Sequence, residues 1–429
     1  MNIKKIYISN FRSIKKLEVE LSRFNVLIGP NAAGKSNFIH IFKFIKDIAF
    51  LGLENAISLQ GGADYIRNFN LSSDDMLFLR FVAAPDKDFK FSIYKKNKYF
   101  KLAINEFDYS FSIKFNHNDY DFKITKDSLV QRFRAFLIDD STNTSTHLGS
   151  GSFELESILG KFQISFNTEE IPELNEDDYQ KAFLFHPEEF IEKQRFLRKE
   201  EIPSTLLLSS PLFFIPYFEI IKKDIESISI YDFDPNLAKF AASLTGMSQL
   251  AENGENLAIV VKRILSDPDK SRKLLNLISD VLPFIEDLNV EKYLDKYLNI
   301  VIKEKYNTGL NVPSFILSEG TLFLLSLIIA LYFEKKPFAI FEEPERRIHP
   351  YLISKLIDMM KDSSQFKQIV LSTHNPEIVK YAGIDNILFV TRNSDGFSTI
   401  SKLHEKEEIK MFLKNEIGIE ELYIQNLLD

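Results

Sequence analysis

One stretch near the N-terminus constrains this chain more than any other. Phe24 to Ile28 is a short apolar run, Gly-Pro-Asn-Ala-Ala-Gly-Lys-Ser follows at 29–36, and Phe38, Ile41, Phe42, Ile45 and Ile48 then recur at helical spacing. The order is strand, glycine loop, helix. Each residue type in the loop has a chemical reason to be there. Gly29 and Gly34 let the backbone wrap phosphate oxygens, Lys35 supplies a point charge to terminal phosphates, Ser36 offers a hydroxyl to magnesium, and the helix N-terminus adds its positive dipole end. With Gly usage near 7%, a bare GxxxxGK[ST] match arises by accident in roughly one to two of every hundred chains this long. The flanking strand and helix are what make this one a phosphate cradle.

Composition bounds the rest. A chain of 429 residues with 45% hydrophobic and 27% charged side chains folds as two or three globular units. Its net charge of −8 gives no global basic field that would advertise nucleic acid, although a local basic groove stays open. The absence of Cys removes disulfides, thiolate nucleophiles and Cys-based zinc sites together. No two of the seven His residues lie at HxxxH spacing, so zinc chemistry is not expected. No apolar run reaches the roughly 18 to 20 residues of a membrane span, and no signal-peptide pattern opens the chain. A cytoplasmic location and no membrane partner are the expectation.

Upstream of the loop, Ile3, Ile6, Ile8 and Phe11 outline a first strand leading into Asn10-Phe11-Arg12-Ser13. An Asn-Phe-Arg/Lys-Ser element ahead of a P-loop resembles the opening of the RecF/SMC/OLD group of ABC-like ATPases. The resemblance implies ATP and Mg2+ as ligands and places Arg12 near the nucleotide phosphates. It counts Asn31, Ala33 and Asn37 among the nucleotide-binding positions beside Gly29, Gly34, Lys35 and Ser36.

Further pieces stand downstream in the order the resemblance requires. Leu317-Ser318-Glu319-Gly320-Thr321 precedes an apolar stretch from Leu322 to Phe333, long enough for a buried helix. A Ser side chain and a Gly amide at a helix N-terminus make an anion site. By resemblance Ser318 and Gly320 form a signature motif that faces the P-loop of a second protomer, which implies a head-to-tail dimer sharing two nucleotides; read by itself, Ser318 is equally an N-cap. Phe338 to Phe341 then forms an apolar strand ending in Glu342-Glu343-Pro344-Glu345. In a Walker B strand the first acid reaches the magnesium shell and the second orients or deprotonates the attacking water. Glu342 is therefore assigned to the metal and Glu343 to the water. Glu-Glu-Pro-Glu with Ile348-His349-Pro350 resembles the RecF/OLD branch, in which Arg346-Arg347 is unusual. Gln368 to Ser372 reads as a buried strand running into His374, the candidate switch that senses the γ-phosphate. Gln60, before Gly61-Gly62, is the candidate Q-loop ligand of magnesium.

About 280 residues separate Ser36 from Leu317. Period-2 alternation in Phe89/Phe91/Ile93, Phe100/Leu102/Ile104 and Tyr109/Phe111/Ile113/Phe115 predicts an antiparallel β-lobe. An acid-rich boundary at Glu169 to Asp178 follows, and helical patterns run from about Tyr179 to Lys305. No heptad array is present, which excludes a coiled-coil arm. Asp232/Asp234 and Asp267/Asp269 have Pro neighbours and read as turns or helix caps. Basic residues at Lys193/Arg195/Arg198/Lys199, Lys222/Lys223, Lys262/Arg263 and Arg272/Lys273 read as solvated helix faces, with phosphate contacts as the alternative.

The expected fold is α/β, a P-loop ABC-type ATPase head with a mixed sheet, an antiparallel β-lobe and a helical insert. Its expected segments are 1–75 with the P-loop, 76–175 for the β-lobe, 176–312 for the helical insert, and 313–429 with signature, Walker B and switch His. The 55 residues after His374 are too few for a TOPRIM nuclease domain, so no nuclease is expected in this chain. The resemblance points to a dimeric, magnesium-dependent ATPase akin to the ATPase subunits of bacterial anti-phage systems, with a separate nuclease or toxin as effector. A RecF-like DNA-repair ATPase and a nucleotide-gated scaffold with negligible turnover are the alternatives, and nucleic acid stays open as a partner.

Overall fold

The structure, a computed structural model, describes residues 1–68, 75–86, 89–95, 98–115, 122–139, 144–167, 170–171, 174, 178, 205–212, 215, 217–240, 242–243, 245–294, 296–306, 311–405 and 419–425. The chain divides into two compact units that it enters more than once. The first comprises Met1–Ser22, Ala32–Ile228 and Val390–Ile400, and the second Arg23–Asn31, Ser229–Phe389 and Ser401–Asp429.

The first unit is built on an antiparallel sheet. It contains β1 (Asn2–Phe11), β2 (Ile14–Glu20), β4 (Leu77–Ala84), β5 (Phe89–Lys95), β6 (Lys98–Phe115), β7 (Phe122–Asp139), β8 (Thr144–Ile158) and β9 (Lys161–Asn167). Their order is β2-β1-β4-β6-β7-β8-β9, with β5 paired to β6. The predicted β-lobe is therefore continuous with the N-terminal strands. Two of the predicted alternating runs are one long strand, β6, whose inward parity changes from even (Phe100, Leu102, Ile104) to odd (Phe107, Tyr109, Phe111, Ile113). A register shift between Ile104 and Glu106 makes the change: one extra residue in the strand turns the following side chains over, so the same face stays apolar. Helix α1 (Lys35–Leu51) buries Phe38, Ile41, Phe42, Phe44, Ile45 and Ile48, and the Phe44 ring packs 5.9 Å from Phe11 and 6.4 Å from Phe111. Short helices α2 (Leu53–Leu59) and α3 (Ala63–Ile66) follow, and α4 (Phe218–Glu226) closes the unit.

The second unit holds a parallel sheet. Strands β10 (Ser229–Tyr231), β15 (Phe338–Glu342), β16 (Gln368–Thr373), β3 (Phe24–Ile28) and β17 (Ile387–Arg392) lie side by side in that order. Every residue of β3 and β16 is buried, as expected for strands covered on both faces. Beneath them runs α8 (Glu319–Tyr332), buried on all sides from Thr321 to Leu331. At about 1.5 to 3 kcal/mol for each fully buried Leu or Ile, this helix is a principal source of the unit's stability. Against it pack α5 (Pro235–Lys239), α7 (Pro268–Val281) and α9 (Ile353–Ser363), and α6 (Leu257–Leu265), α10 (Pro376–Ala382) and α11 (Ile419–Ile424) contribute to the same core. Past Val390 the chain enters the first unit and returns with β18 (Ser398–Lys402).

The helical reading of 176–312 needs correction. Ile285–Tyr293 and Tyr297–Glu304 are strands, β12 and β13, which form a small antiparallel sheet with β11 (Ala242–Ser243) and β14 (Asn311–Pro313). The apolar residues there satisfy helical and alternating spacing at once, and Leu294 takes a left-handed φ of 49° where the hairpin turns. Asp234 and Asp267 are N-caps, accepting from Asn236 N–H and from Asp269 and Lys270 N–H. The Lys193/Arg195/Arg198/Lys199 cluster and most of the acidic boundary lie outside the described residues. Lys222/Lys223, Lys262/Arg263 and Arg272/Lys273 lie on α4, α6 and α7.

Candidate functional site

Lys35 and Ser36 open α1, and Gly34, just before it, sits at φ 116°. A Cβ at Gly34 would stand 2.1 Å from Ser398 Oγ, so both backbone and space demand glycine. Ser398 explains why the loop keeps its shape: its hydroxyl donates to the Ala33 carbonyl at 2.6 Å and lies 2.7 Å from Ser13 Oγ. Asn37 Nδ2 donates to the same Ser13 hydroxyl at 2.6 Å, and Arg392 Nε to the Ala32 carbonyl at 2.8 Å. Ala32 itself has φ 62°. Ser13, Arg392 and Ser398 thus hold the loop, and sequence reasoning missed all three roles.

The conformation of Asn10-Phe11-Arg12-Ser13 accounts for its composition. Asn10 and Arg12 both have positive φ, and Asn10 bridges the Asp75 carbonyl and the Asn68 N–H. Arg12 donates to Gln60 Oε1 at 2.6 Å, so the two residues predicted separately are bonded to each other. Gln60 ends α2 and is buried. Burial lowers the pKa of Arg12, and burial, helped by Arg12, lowers that of His40 to about 4, leaving the imidazole neutral at physiological pH.

The second unit carries the acidic residues. Parallel pairing sets Thr373 opposite Ile28 and Glu342 opposite Ser372, so β3, β15 and β16 end at one edge of the sheet. From that edge leave Gly29 and Asn31, Glu343, and His374. Glu343 has φ 44°, its N–H donates to the Ser372 carbonyl at 2.9 Å, and its Oε1 lies 2.8 Å from His374 Nδ1. A carboxylate accepts, so Nδ1–H donates and Nε2 is left for another partner. Glu342 and Glu343 also line a cavity of about 210 Å³ with Asp232, Asp234, Arg346 and Arg347.

Ser318 is the N-cap of α8, accepting from Thr321 N–H at 3.2 Å. A Cβ at Gly320 would stand 3.0 Å from the Arg347 carbonyl oxygen, and the Arg347 guanidinium pairs with Glu319. The unusual arginine therefore ties the loop after β15 to the start of α8.

The Ser36 hydroxyl and the Glu342 carboxylate are each a hard oxygen donor of the kind magnesium takes. Among the described residues no three His, Asp or Glu side chains cluster into an all-protein cage. Among the described residues no helix is long and apolar enough to cross a membrane.

Comparison with known proteins adds the following. No curated protein matches the chain. Among solved structures the chain is similar to an SMC head bound to the C-winged helix domain of ScpA, with a TM-score of 0.45, 15% identity, and coverage of 94% of this chain and 99% of that one. It is also similar to the SMC head domain from Thermotoga maritima (TM-score 0.40, 14% identity, coverage 94% and 99%). A third is the Pyrococcus furiosus Smc head with an extended coiled coil bound to the C-terminal domain of ScpA (TM-score 0.39, 13% identity, coverage 97% and 100%). The family profile described as "AAA domain, putative AbiEii toxin, Type IV TA system" matches residues 24–380, from the strand before the phosphate loop to the helix after His374. The chain belongs to this AAA_21 family.

Proposed function

We propose that the chain is a magnesium-dependent ATPase that dimerises head to tail around ATP and controls a separate effector, a nuclease or toxin, in prokaryotic anti-phage defence. The observation that carries the hydrolytic part is the Glu343–His374 pair, 2.8 Å apart at the sheet edge from which the phosphate loop departs. In this reading the loop amides, Lys35 and the positive end of α1 bind the phosphates. Ser36 and Glu342, with Gln60 as a further candidate, would hold magnesium, which would supply charge neutralisation. Glu343 takes a proton from the attacking water, while His374 holds that carboxylate through Nδ1–H and is the proposed sensor of the γ-phosphate. Arg12 is proposed to approach the phosphates from its seat on Gln60. Ser318 and Gly320 are proposed to meet the nucleotide of a second copy. The family's toxin–antitoxin description is compatible with a role in defence, and the cell interior is the proposed location.

Phosphate release by the purified chain, compared with Glu343→Gln, tests this. Loss of release by a factor on the order of 100 or more, with ATP still bound, is expected. Equal release from both proteins would remove Glu343 from the chemistry.

A further inference from the structure

Glu345, the third acid after β15, is not used by the mechanism above, yet it is almost fully enclosed at 6% exposure. Its Oε1 accepts from the hydroxyl of Thr373, a fully buried residue, while its Oε2 has no hydrogen-bond partner. A half-satisfied carboxyl in such a place costs stability that an apolar side chain of similar volume would avoid. What it touches is therefore informative.

Thr373 immediately precedes His374, and its hydroxyl also accepts from the N–H of Asn375 at 2.9 Å, so one oxygen pins both flanks of the histidine. Two residues before Glu345 is Glu343, whose backbone is held in a left-handed conformation by the Ser372 carbonyl. On another side lies Tyr423, which donates to the Gly29 carbonyl at 3.3 Å and whose phenol pKa is raised by burial and, to a smaller extent, by Glu345. Burial likewise raises the pKa of Glu345, which favours the neutral acid.

We propose that Glu345 is a positioning residue for hydrolysis: through Thr373 it fixes the corner that carries His374 so that Nδ1 meets Glu343, beside the first glycine of the phosphate loop. This deepens the ATPase reading and rests on it. The side chain needs only to accept from the Thr373 hydroxyl, so an amide serves as well as an acid. Placement errors of about 1 Å cost up to a hundredfold in rate, so loss of the brace lowers turnover without removing contacts to ATP.

The test is steady-state phosphate release and ATP affinity of the full-length chain, with melting temperature read in parallel, for Glu345→Gln, Glu345→Ala, Thr373→Ser, Thr373→Val and Glu343→Gln. Glu345→Ala and Thr373→Val are expected to lower kcat about tenfold or more with KM within about twofold, while Glu345→Gln and Thr373→Ser stay near the parent. The proposal is overturned if Glu345→Ala keeps the parental kcat, if Glu345→Gln is as impaired as Glu345→Ala, or if KM rises in step with the fall in kcat. Should Glu345→Ala fail to fold, unchanged kcat in Thr373→Val overturns it equally. A parental rate in Glu343→Gln, or no release from the parent chain, brings down the ATPase reading and this inference together. An inactive Glu343→Gln beside a fully active Glu345→Ala brings down this inference alone.

Discussion

Gly34 and Ser398 occupy one small volume. Replacing Gly34 by Ala puts a methyl carbon where Ser398 Oγ now sits and forces an L-residue into φ 116°. The expected outcome is loss of nucleotide affinity by tenfold or more, on the order of 1.4 kcal/mol or above, measured by titration with a fluorescent ATP analogue. Ser398→Ala removes the bonds to Ala33 and Ser13 without a clash, and is expected to weaken binding less than Gly34→Ala in the same titration. The two halves of this contact differ in how legible they are in sequence. Gly34, Lys35 and Ser36 announce themselves because phosphate chemistry fixes both residue type and spacing. Ser13 and Ser398 lie 385 positions apart, and no local pattern marks a serine as a brace. Glu345 is silent in sequence for a related reason: an acid just past a strand reads as solvated, and only the fold encloses it.

Elements with a single strong period were the readable ones. β3, β15 and β16 follow their apolar runs to within a residue, and α1 buries every apolar position of its pattern, because each buries a whole run or a whole face. β6 shows two separate alternating runs in sequence because the register shift near Asn105 reverses its parity, and β12 and β13 carry a helical pattern because their spacing satisfies both periods. The antiparallel sheet also carries a titratable fastening. Asp127, fully enclosed in β7, accepts from Leu207 N–H at 2.6 Å and from the Tyr109 hydroxyl, and burial raises its pKa to about 7. A carboxyl whose folded pKa exceeds its unfolded value of 3.8 holds its proton in the fold. Its favourable share is thus complete below about pH 4 and is lost as pH rises through 7, on the order of 4 kcal/mol. Denaturant titrations from pH 4 to 8 are expected to show stability declining across this window in the parent chain, and a flatter profile in Asp127→Asn.

At the level of the molecule, the proposed ATP-bridged pair predicts a change of mass. Glu343→Gln with ATP and magnesium is expected to double its mass in sedimentation or light scattering. Gly320→Val, which crowds the Arg347 carbonyl where α8 begins, is expected to stay monomeric under the same conditions. A monomer in the first case, with ATP bound, would rule out the shared-nucleotide arrangement. The interleaved path of the chain has a further consequence, one for its birth on the ribosome. β3 is made well before the strands that flank it, β16 and β17, which begin about 340 and 360 residues later. At roughly 5 to 20 residues per second, this strand, apolar at four of its five positions, waits on the order of 20 to 70 s without its native neighbours. Nascent chains of this protein therefore pass through a long interval in which the strand that feeds the phosphate loop is available to chaperones, proteases and one another.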